Sequence, residues 1–555
     1  MYDLWRKRLL AISVFAFIST GWADDRAVLA VSHPLAAQAG LEMLNEGGNA
    51  IDAAAAIQFA LNVVEPQSSG IGGGPFLMVY VAREHRTYVL DARETAPAAA
   101  TADQFVGRDF RQNSTSGLAV GVPGTLAGFS DALQRWGRLP LSKTLQPAIR
   151  LARKGFKVGP YLAHAVQSPR AGLWPEMRQW LRNDKGQPLQ VGDVFKQSEL
   201  AHTLDLIAHQ GPSVFYQGEL AKAIVFAQKR SLIGAAGEGR MTLADLRNYH
   251  PRWMEPLVGH YGDVTIVTMP PPSSGGVALL QALGLLERFP MGRAPGFEAD
   301  GPLATHVTIE AMRMAMADRA LWMGDPEATV IPLAPLLSPE ILAERAQAIR
   351  LDKRMPDLAG TATPGGRNTT HFSVVDREGN VVTCTSTVEA AWGSGILVTG
   401  YGFLLNNELT DFNAVPQGGG DNPGANDVRP GMRPRSSMAP TLAFRNDHWW
   451  LAYGSPGGST IISTVLETTL DMWKDGLQPE DALRLPRFAV LDPAGNTVYE
   501  PGLSGDTLSA LEGRGQVLKE VDTPLGSVQM VGEDPVTHRR WGAADPRREG
   551  TVLYY

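Results

Sequence analysis

A single cysteine, Cys384, stands in 555 residues, so neither an intrachain disulfide framework nor a cysteine-based zinc site can be built. The eleven histidines contain no HExxH, and His202 and His209 are spaced as two exposed positions of one helix. No metal and no cofactor is therefore expected. Dense basic runs are also missing and the net charge is −7, which argues against nucleic acid or an anionic membrane as partner. No apolar run reaches the ~20 residues that a spanning helix needs. The glycine-rich run Ser68-Ser69-Gly70-Ile71-Gly72-Gly73-Gly74 lacks the Lys-Ser/Thr of a phosphate loop and precedes a strand instead of following one. It reads as a place of close backbone approach. Gly454-Ser455-Pro456-Gly457-Gly458-Ser459 does not match the G-x-S-x-G elbow, but it offers adjacent backbone N–H groups between a strand and a helix, a fit for an oxyanion hole.

With 44% hydrophobic and 19% charged residues, the chain has ordinary globular composition. Its first residues read as a signal peptide. Trp5-Arg6-Lys7-Arg8 is the basic part, Leu9 to Thr20 the apolar part, and Gly21-Trp22-Ala23 the small-residue cleavage site. Export to the periplasm or beyond is expected, with an uncleaved anchor as the alternative. Residues 36–46, 50–61, 277–287, 305–323 and 461–473 carry helical patterns. Residues 76–81, 87–90, 265–267, 449–453, 516–519 and 528–531 read as strands. Residues 356–367 are rich in Pro, Gly and Thr without periodicity and read as an exposed linker. A hairpin follows, His371 to Asp376 and Val381 to Val388 around a Glu378-Gly379-Asn380 turn.

A reactive side chain at the junction of linker and strand suggests processing. If the Asn368–Thr369 bond breaks, Thr369 gains a free α-amine next to its hydroxyl. That amine titrates far below lysine and can act as the base for its own Oγ. On these residues alone, a Thr-Thr pair opening an ordinary strand is the commoner case.

The surrounding motifs weigh against that case. Thr369-Thr370-His371-Phe372-Ser373, Gly379-Asn380-Val381-Val382, Thr385-Ser386-Thr387-Val388-Glu389 and Trp392-Gly393 together resemble the signature of the γ-glutamyltranspeptidase (glutathione hydrolase) family, with Trp392 where Phe or Tyr is usual. Further resemblance lies in His33-Pro34-Leu35, Arg93-Glu94-Thr95-Ala96-Pro97, Pro271-Pro272-Ser273-Ser274-Gly275-Gly276, Ala317-Asp318-Arg319 and Ala544-Asp545-Pro546-Arg547. These blocks span nearly the whole mature chain.

The resemblance implies an N-terminal-nucleophile hydrolase with a four-layer αββα sandwich of mixed α/β class. Residues 24–368 (large subunit) and 369–555 (small subunit) would form it jointly after removal of residues 1–23 and a cut between Asn368 and Thr369. It implies Thr369 as nucleophile, oriented by Thr387, with Gly457 and Gly458 as the oxyanion-hole pair. It implies Arg93, Ser436 and Ser437 on the α-carboxylate of a γ-glutamyl substrate, and Asp411, with Glu389 and Glu408, around its α-ammonium. Many relatives carry Asn and Gln at the last two positions, so this pocket should be more negative. The acyl-enzyme would pass to water or to the amine of an amino acid or peptide. Glutathione is an expected substrate.

Two other readings compete. A glutaryl-cephalosporin-type acylase would keep Thr369 but would not need acids for an ammonium. A non-enzymatic exported binding protein would be expected to have lost Thr369, Thr387 or the glycine pair. Some relatives cover the pocket with a tyrosine-bearing lid. Here the matching interval, Asn413 to Met432, has Gly418-Gly419-Gly420 and no aromatic residue. A mobile or absent lid is expected, or cover from residues 105–115 instead.

Overall fold

The computed structural model describes residues 26–232, 234–360, 368–419 and 423–555. The signal-peptide reading, most of the linker and Gly420 of the lid interval lie outside these residues. In chain order, the strands of the two main sheets are β1 (Val28–Val31), β2 (Gly74–Val81), β3 (Arg86–Asp91), β4 (Arg252–Met254), β5 (Leu257–Tyr261), β6 (Val264–Thr268), β7 (Thr370–Val375), β8 (Val381–Thr387), β9 (Thr441–Arg445), β10 (His448–Gly454), β11 (Gln529–Glu533), β12 (Arg540–Ala544) and β13 (Thr551–Tyr554). One sheet has seven strands in the order β13-β1-β7-β8-β2-β3-β4, the other six in the order β12-β11-β10-β9-β6-β5. All their pairings are antiparallel. Strands from before and after Thr369 are neighbours in both sheets, so neither part of the chain closes a sheet alone.

The period-2 alternation of strand side chains assigns each face. Leu29, Val31, Leu77, Val79, Phe372 and Val374 share one core with α1 (Pro34–Asn45) and α2 (Ala50–Val64). Their neighbours Val28, Ala30, Phe76, Met78, Val375 and Val381 turn to the second sheet and pack with Ile266, Leu442, Tyr453 and Met530. Helices α3 (Gly275–Leu286), α4 (Pro302–Trp322) and α5 (Ile461–Trp473) supply Leu279, Val307 and Val465 to that same core. The layers run helix, sheet, sheet, helix, as the resemblance implied. In α2, Ala53 to Ala56 are fully buried, and small side chains let the helix lie close to its neighbours. A Cβ on Gly40 of α1 would come within 2.7 Å of Ile57.

Several strands went unread in the sequence. The short edge strands β4 and β13 are only partly buried, so their alternation is weak. Strand β1 is buried along its whole length and carries no alternation at all. A further helix, Thr125–Trp136, begins directly after Pro123-Gly124.

Candidate active site

The glycine-rich loop is where the site begins. A Cβ on Gly72 would lie 2.0 Å from the Leu404 carbonyl, and one on Gly73 2.1 Å from the Thr387 carbonyl. Glycine is required there because backbones meet, as the sequence reading held; this seats the end of β8 against the start of β2, with Thr387 opposite Gly74. Thr369 immediately precedes β7 on the neighbouring strand, where Thr370 pairs with Ser386.

Thr387 is the last residue of β8, and its hydroxyl donates to the Asn368 carbonyl at 2.8 Å and accepts from the Glu389 N–H at 2.9 Å. Thr387 thus holds the carbonyl of the residue that precedes Thr369 and lines the same cavity as Thr369. Glu389 follows with φ of 80°, a left-handed backbone that is costly for a residue with a side chain and is found where surroundings enforce it. Gly457 and Gly458, between β10 and α5, have φ of 138° and 60°, which only glycine adopts readily.

One cavity brings together Thr369, Thr387 and Gly458 with Arg93, Glu389, Glu408, Asp411, Ser436 and Ser437. Gly457 adjoins it without lining it. Arg93 is buried just past the end of β3, its N–H fixed by Asp91 Oδ1 at 2.9 Å and its Nη1 donating to the Gly74 carbonyl at 3.2 Å. Its guanidinium is in close ion-pair contact with Glu408 and lies 3.8 Å from Glu94. The short turn Glu408–Asp411 presents both of its acids to the cavity that Arg93 lines. Burial pushes the Glu94 carboxyl up to about 7, with the Arg93 charge pulling the other way. Glu389 accepts from the Asn407 side-chain amide.

Asp411 is pushed upward by burial and pulled down by the guanidiniums of Arg93, Arg319 and Arg435. Sequence reasoning left the last two without a role. Arg319 projects from α4, lines the cavity and donates from Nε to Ser274 Oγ at 2.8 Å and from Nη2 to Ser437 Oγ at 3.0 Å. Burial lowers its pKa to about 10. Arg435 Nη1 donates to the Arg319 carbonyl at 2.9 Å. Arg319 belongs to the family-like block Ala317-Asp318-Arg319, and Arg435 directly precedes Ser436-Ser437. Ser436 is locked to Pro272 and Ser274 through backbone bonds, and its hydroxyl accepts from the Met438 N–H at 3.1 Å.

Other candidates take structural places. His371 is buried between the sheets on Thr385, Ser373 and Thr383 hydroxyls, and burial lowers it to about 3, so it stays neutral and is no base at ordinary pH. Ser455 is buried, donating to the Pro456 carbonyl at 2.7 Å. Cys384 is buried in the core with its thiol pushed up by desolvation. Among the described residues no group of His, Cys, Asp or Glu is placed to hold a metal ion, and no helix is long and apolar enough to cross a membrane.

Within the Asn413–Met432 interval, described residues converge on one acid. Asp427 accepts from Asn413 Nδ2 at 2.8 Å and from the N–H groups of Gln417, Gly418 and Gly424 at 2.9, 3.1 and 2.7 Å. One carboxylate thus ties together described residues from both ends of the glycine-rich stretch. None of its described residues, and none of residues 105–115, lines the cavity. Phe105 packs on Leu409, Phe412 and Val428 instead.

Comparison with known proteins agrees with this geometry. The sequence model of the Gamma-glutamyltranspeptidase family matches residues 36–555. The glutathione hydrolase proenzyme of Bacillus subtilis strain 168 is 40% identical over 549 residues, covering 95% of this chain and 91% of that protein. The glutathione hydrolase proenzyme of Escherichia coli K12 is 40% identical over 533 residues, covering 92% and 89%. Among solved structures, a cephalosporin acylase from Bacillus halodurans superposes with a TM-score of 0.83 at 29% identity, covering 100% of this chain and 99% of that one. A family model matched over residues 36–555 and glutathione hydrolase proenzymes 40% identical over most of both chains place this chain in the γ-glutamyltranspeptidase family of N-terminal-nucleophile hydrolases.

Proposed function

We propose that this protein is an exported proenzyme that cuts itself before Thr369 and then hydrolyses or transfers the γ-glutamyl group of amides such as glutathione. The observation that carries the reading is the single cavity in which Thr369, Thr387 and Gly458 meet both guanidinium and carboxylate groups. In maturation, Thr369 Oγ attacks the Asn368 carbonyl carbon, the C–N bond breaks, and the hydroxyl proton ends on the released α-amine. Water then hydrolyses the resulting ester and frees the Asn368 carboxyl. Thr387, already donating to that carbonyl, stabilises the negative charge that develops on its oxygen.

In turnover the new α-amine takes the Oγ proton as Oγ attacks the γ-carbonyl of the substrate. The tetrahedral oxyanion is met by the N–H groups of Gly457 and Gly458, where losing one donor costs on the order of 3–4 kcal/mol in comparable enzymes. The leaving amine carries off the proton, and the acyl-enzyme passes to water or to an acceptor amine. Arg93, Ser436 and Ser437 hold the α-carboxylate. Asp411, with Glu389 and Glu408, holds the ammonium, and the contact of Glu408 with Arg93 links the two halves of the pocket. The two fragments remain together as a large–small subunit pair.

The acylase reading has the structural likeness to the Bacillus halodurans enzyme behind it. Against it stand the acids of the cavity, which a glutaryl group, lacking an ammonium, would leave unanswered. A denaturing gel with N-terminal sequencing of the smaller fragment, followed by kinetics on γ-glutamyl and glutaryl anilides, tests the proposal. A smaller fragment starting at Thr369 and a preference for γ-glutamyl are expected. A preference for glutaryl would hand the site to the acylase reading.

A further inference from the structure

The side chain of Asn368, the residue before the junction, is held on both of its polar atoms. Its Oδ1 accepts from the Tyr161 hydroxyl at 2.7 Å and from Ser68 Oγ at 3.1 Å, while its Nδ2 donates to the Gln67 carbonyl at 3.2 Å. None of these three partners lines the cavity that Thr369 shares with the charged groups. The Tyr161 ring lies 4.4 Å from the Arg548 guanidinium, whose Nη1 donates to the Thr369 carbonyl at 2.7 Å. The Tyr161 N–H is in turn placed by Glu549 Oε2 at 3.3 Å. Both residues of the junction are therefore gripped from this side, and Asn368 is buried.

We propose that Tyr161, Ser68 and the Gln67 carbonyl form a recognition site for a carboxamide at position 368, which positions the 368 carbonyl carbon for Thr369 Oγ and so sets the rate of self-cleavage without taking part in turnover. This rests on the maturation reading above. Attack needs the reacting atoms about 3–3.5 Å apart and aligned. Strand pairing cannot supply that alignment, because β7 starts only at Thr370. The side chain of 368 anchors the backbone instead, with the Thr387 hydroxyl on its carbonyl as the opposite jaw.

A carboxamide fits this arrangement by its donor and acceptor sides. Leucine at 368 would leave two hydroxyls and a carbonyl unanswered. Aspartate would lose the donor to Gln67 and add a second buried acid near Glu65, whose carboxyl burial already pushes up. After the cut, residue 368 ends the other fragment, and its side-chain contacts no longer bear on the nucleophile. Arg548 stays on the Thr369 carbonyl throughout. Tyr161 and Ser68 are thus positioning residues for maturation alone, whereas Arg548 serves both stages.

The test follows cell-free synthesis of the full chain on a denaturing gel, with turnover of a γ-glutamyl anilide then expressed per titrated nucleophile. Tyr161→Phe and Asn368→Leu are expected to slow the appearance of the two fragments by about tenfold or more, the effect of losing one or more buried hydrogen bonds. Turnover per matured site should stay at the wild-type value. Arg548→Met should lower both. Asn368→Gln, which keeps the amide, should mature faster than Asn368→Leu. Wild-type maturation in Tyr161→Phe would overturn the proposal, as would a loss of maturation and per-site turnover in equal proportion. So would a large drop in Tm when Tyr161→Phe is placed in an uncut Thr369→Ala chain, since that assigns the slowing to general destabilisation. If the wild-type chain is not cut before Thr369, the maturation reading fails first, and the gel shows this independently of Tyr161.

Discussion

The two sides of the Asn368–Thr369 junction are built from different chemistry. On the cavity side stand Arg93, Arg319, Glu389, Glu408 and Asp411, with hydroxyls between them. On the other side the contacts to Asn368 are neutral: a phenol, an alcohol and a backbone carbonyl. A substrate that arrives from solution as a zwitterion must be drawn and sorted by charge. A side chain joined covalently to the nucleophile is present at high effective concentration and needs only to be oriented. Both sides nonetheless bury an acid that desolvation pushes up and an arginine pulls back: Glu94 with Arg93, and Glu65 with Arg548.

The largest expected effect removes the group the two sides share. Thr369→Ala should leave one uncut chain with no turnover, and the small fragment of the wild type should begin at Thr369. A cut found at another bond would remove Thr369 from its assigned place.

Next come substitutions that act on one side only. Asp411→Ala and Arg93→Ala should each lower kcat/KM for γ-glutamyl amides by about 2–5 kcal/mol, the cost of truncating a buried paired charge, while self-cleavage proceeds. Near-normal kcat/KM in Asp411→Ala would defeat the ammonium pocket.

A smaller effect tests how charge is shared within the cavity. Glu408→Gln removes one negative charge from the cavity that would receive the ammonium, so a glutaryl anilide, which has the carboxylate but no ammonium, should gain on the γ-glutamyl anilide by about tenfold. An unchanged ratio would mean that Glu408 takes no part in selecting the ammonium. With glycylglycine present, hydrolysis should remain a major outcome, since no described residue of Asn413–Met432 lines the cavity. Strong preference for transfer, with poor use of long γ-glutamyl peptides, would show that something closes over the site.

The smallest effect is on stability. Glu94 holds its proton up to about pH 7, against an ordinary 4.5, so between these values the folded chain binds more protons than the unfolded one. Stability from this group is therefore lost as pH rises through that window. Glu94→Gln should flatten that slope and reduce the fall in Tm between about pH 5 and pH 8 by about 1–2 °C. An unchanged Tm profile would show that Glu94 ionises without cost in the folded chain.

Much of the site was legible because its residues sit in short blocks with fixed chemistry. Thr369, Thr387, the glycine pair, Arg93, Asp411 and Ser436-Ser437 were all named before any geometry was known, and all but Gly457 line one cavity. What the blocks could not tell was pairing. Glu408 and Asp411 are separated by a single short turn; Glu408 is in direct contact with Arg93, while Asp411 lies under the charges of Arg93, Arg319 and Arg435 together. Arg319 comes from a helix far from either and reaches Ser437 only because α4 packs over the second sheet. The glycine-rich lid interval reads as loose by composition, and that composition does not tell that Asp427 accepts from four donors within it.

Sequence by itself determined the chemistry: a linker ending at Asn368-Thr369, strands that alternate on either side of it, and glycines where backbones must touch. These are local properties, written in periodicity and residue type. Tertiary structure alone decided which charges neutralise each other, that His371 is buried and neutral, and that Tyr161 and Ser68 from one part of the chain grip Asn368 from another. Such pairings join residues hundreds of positions apart, and they depend on how two sheets and their helices stack, which no local pattern encodes.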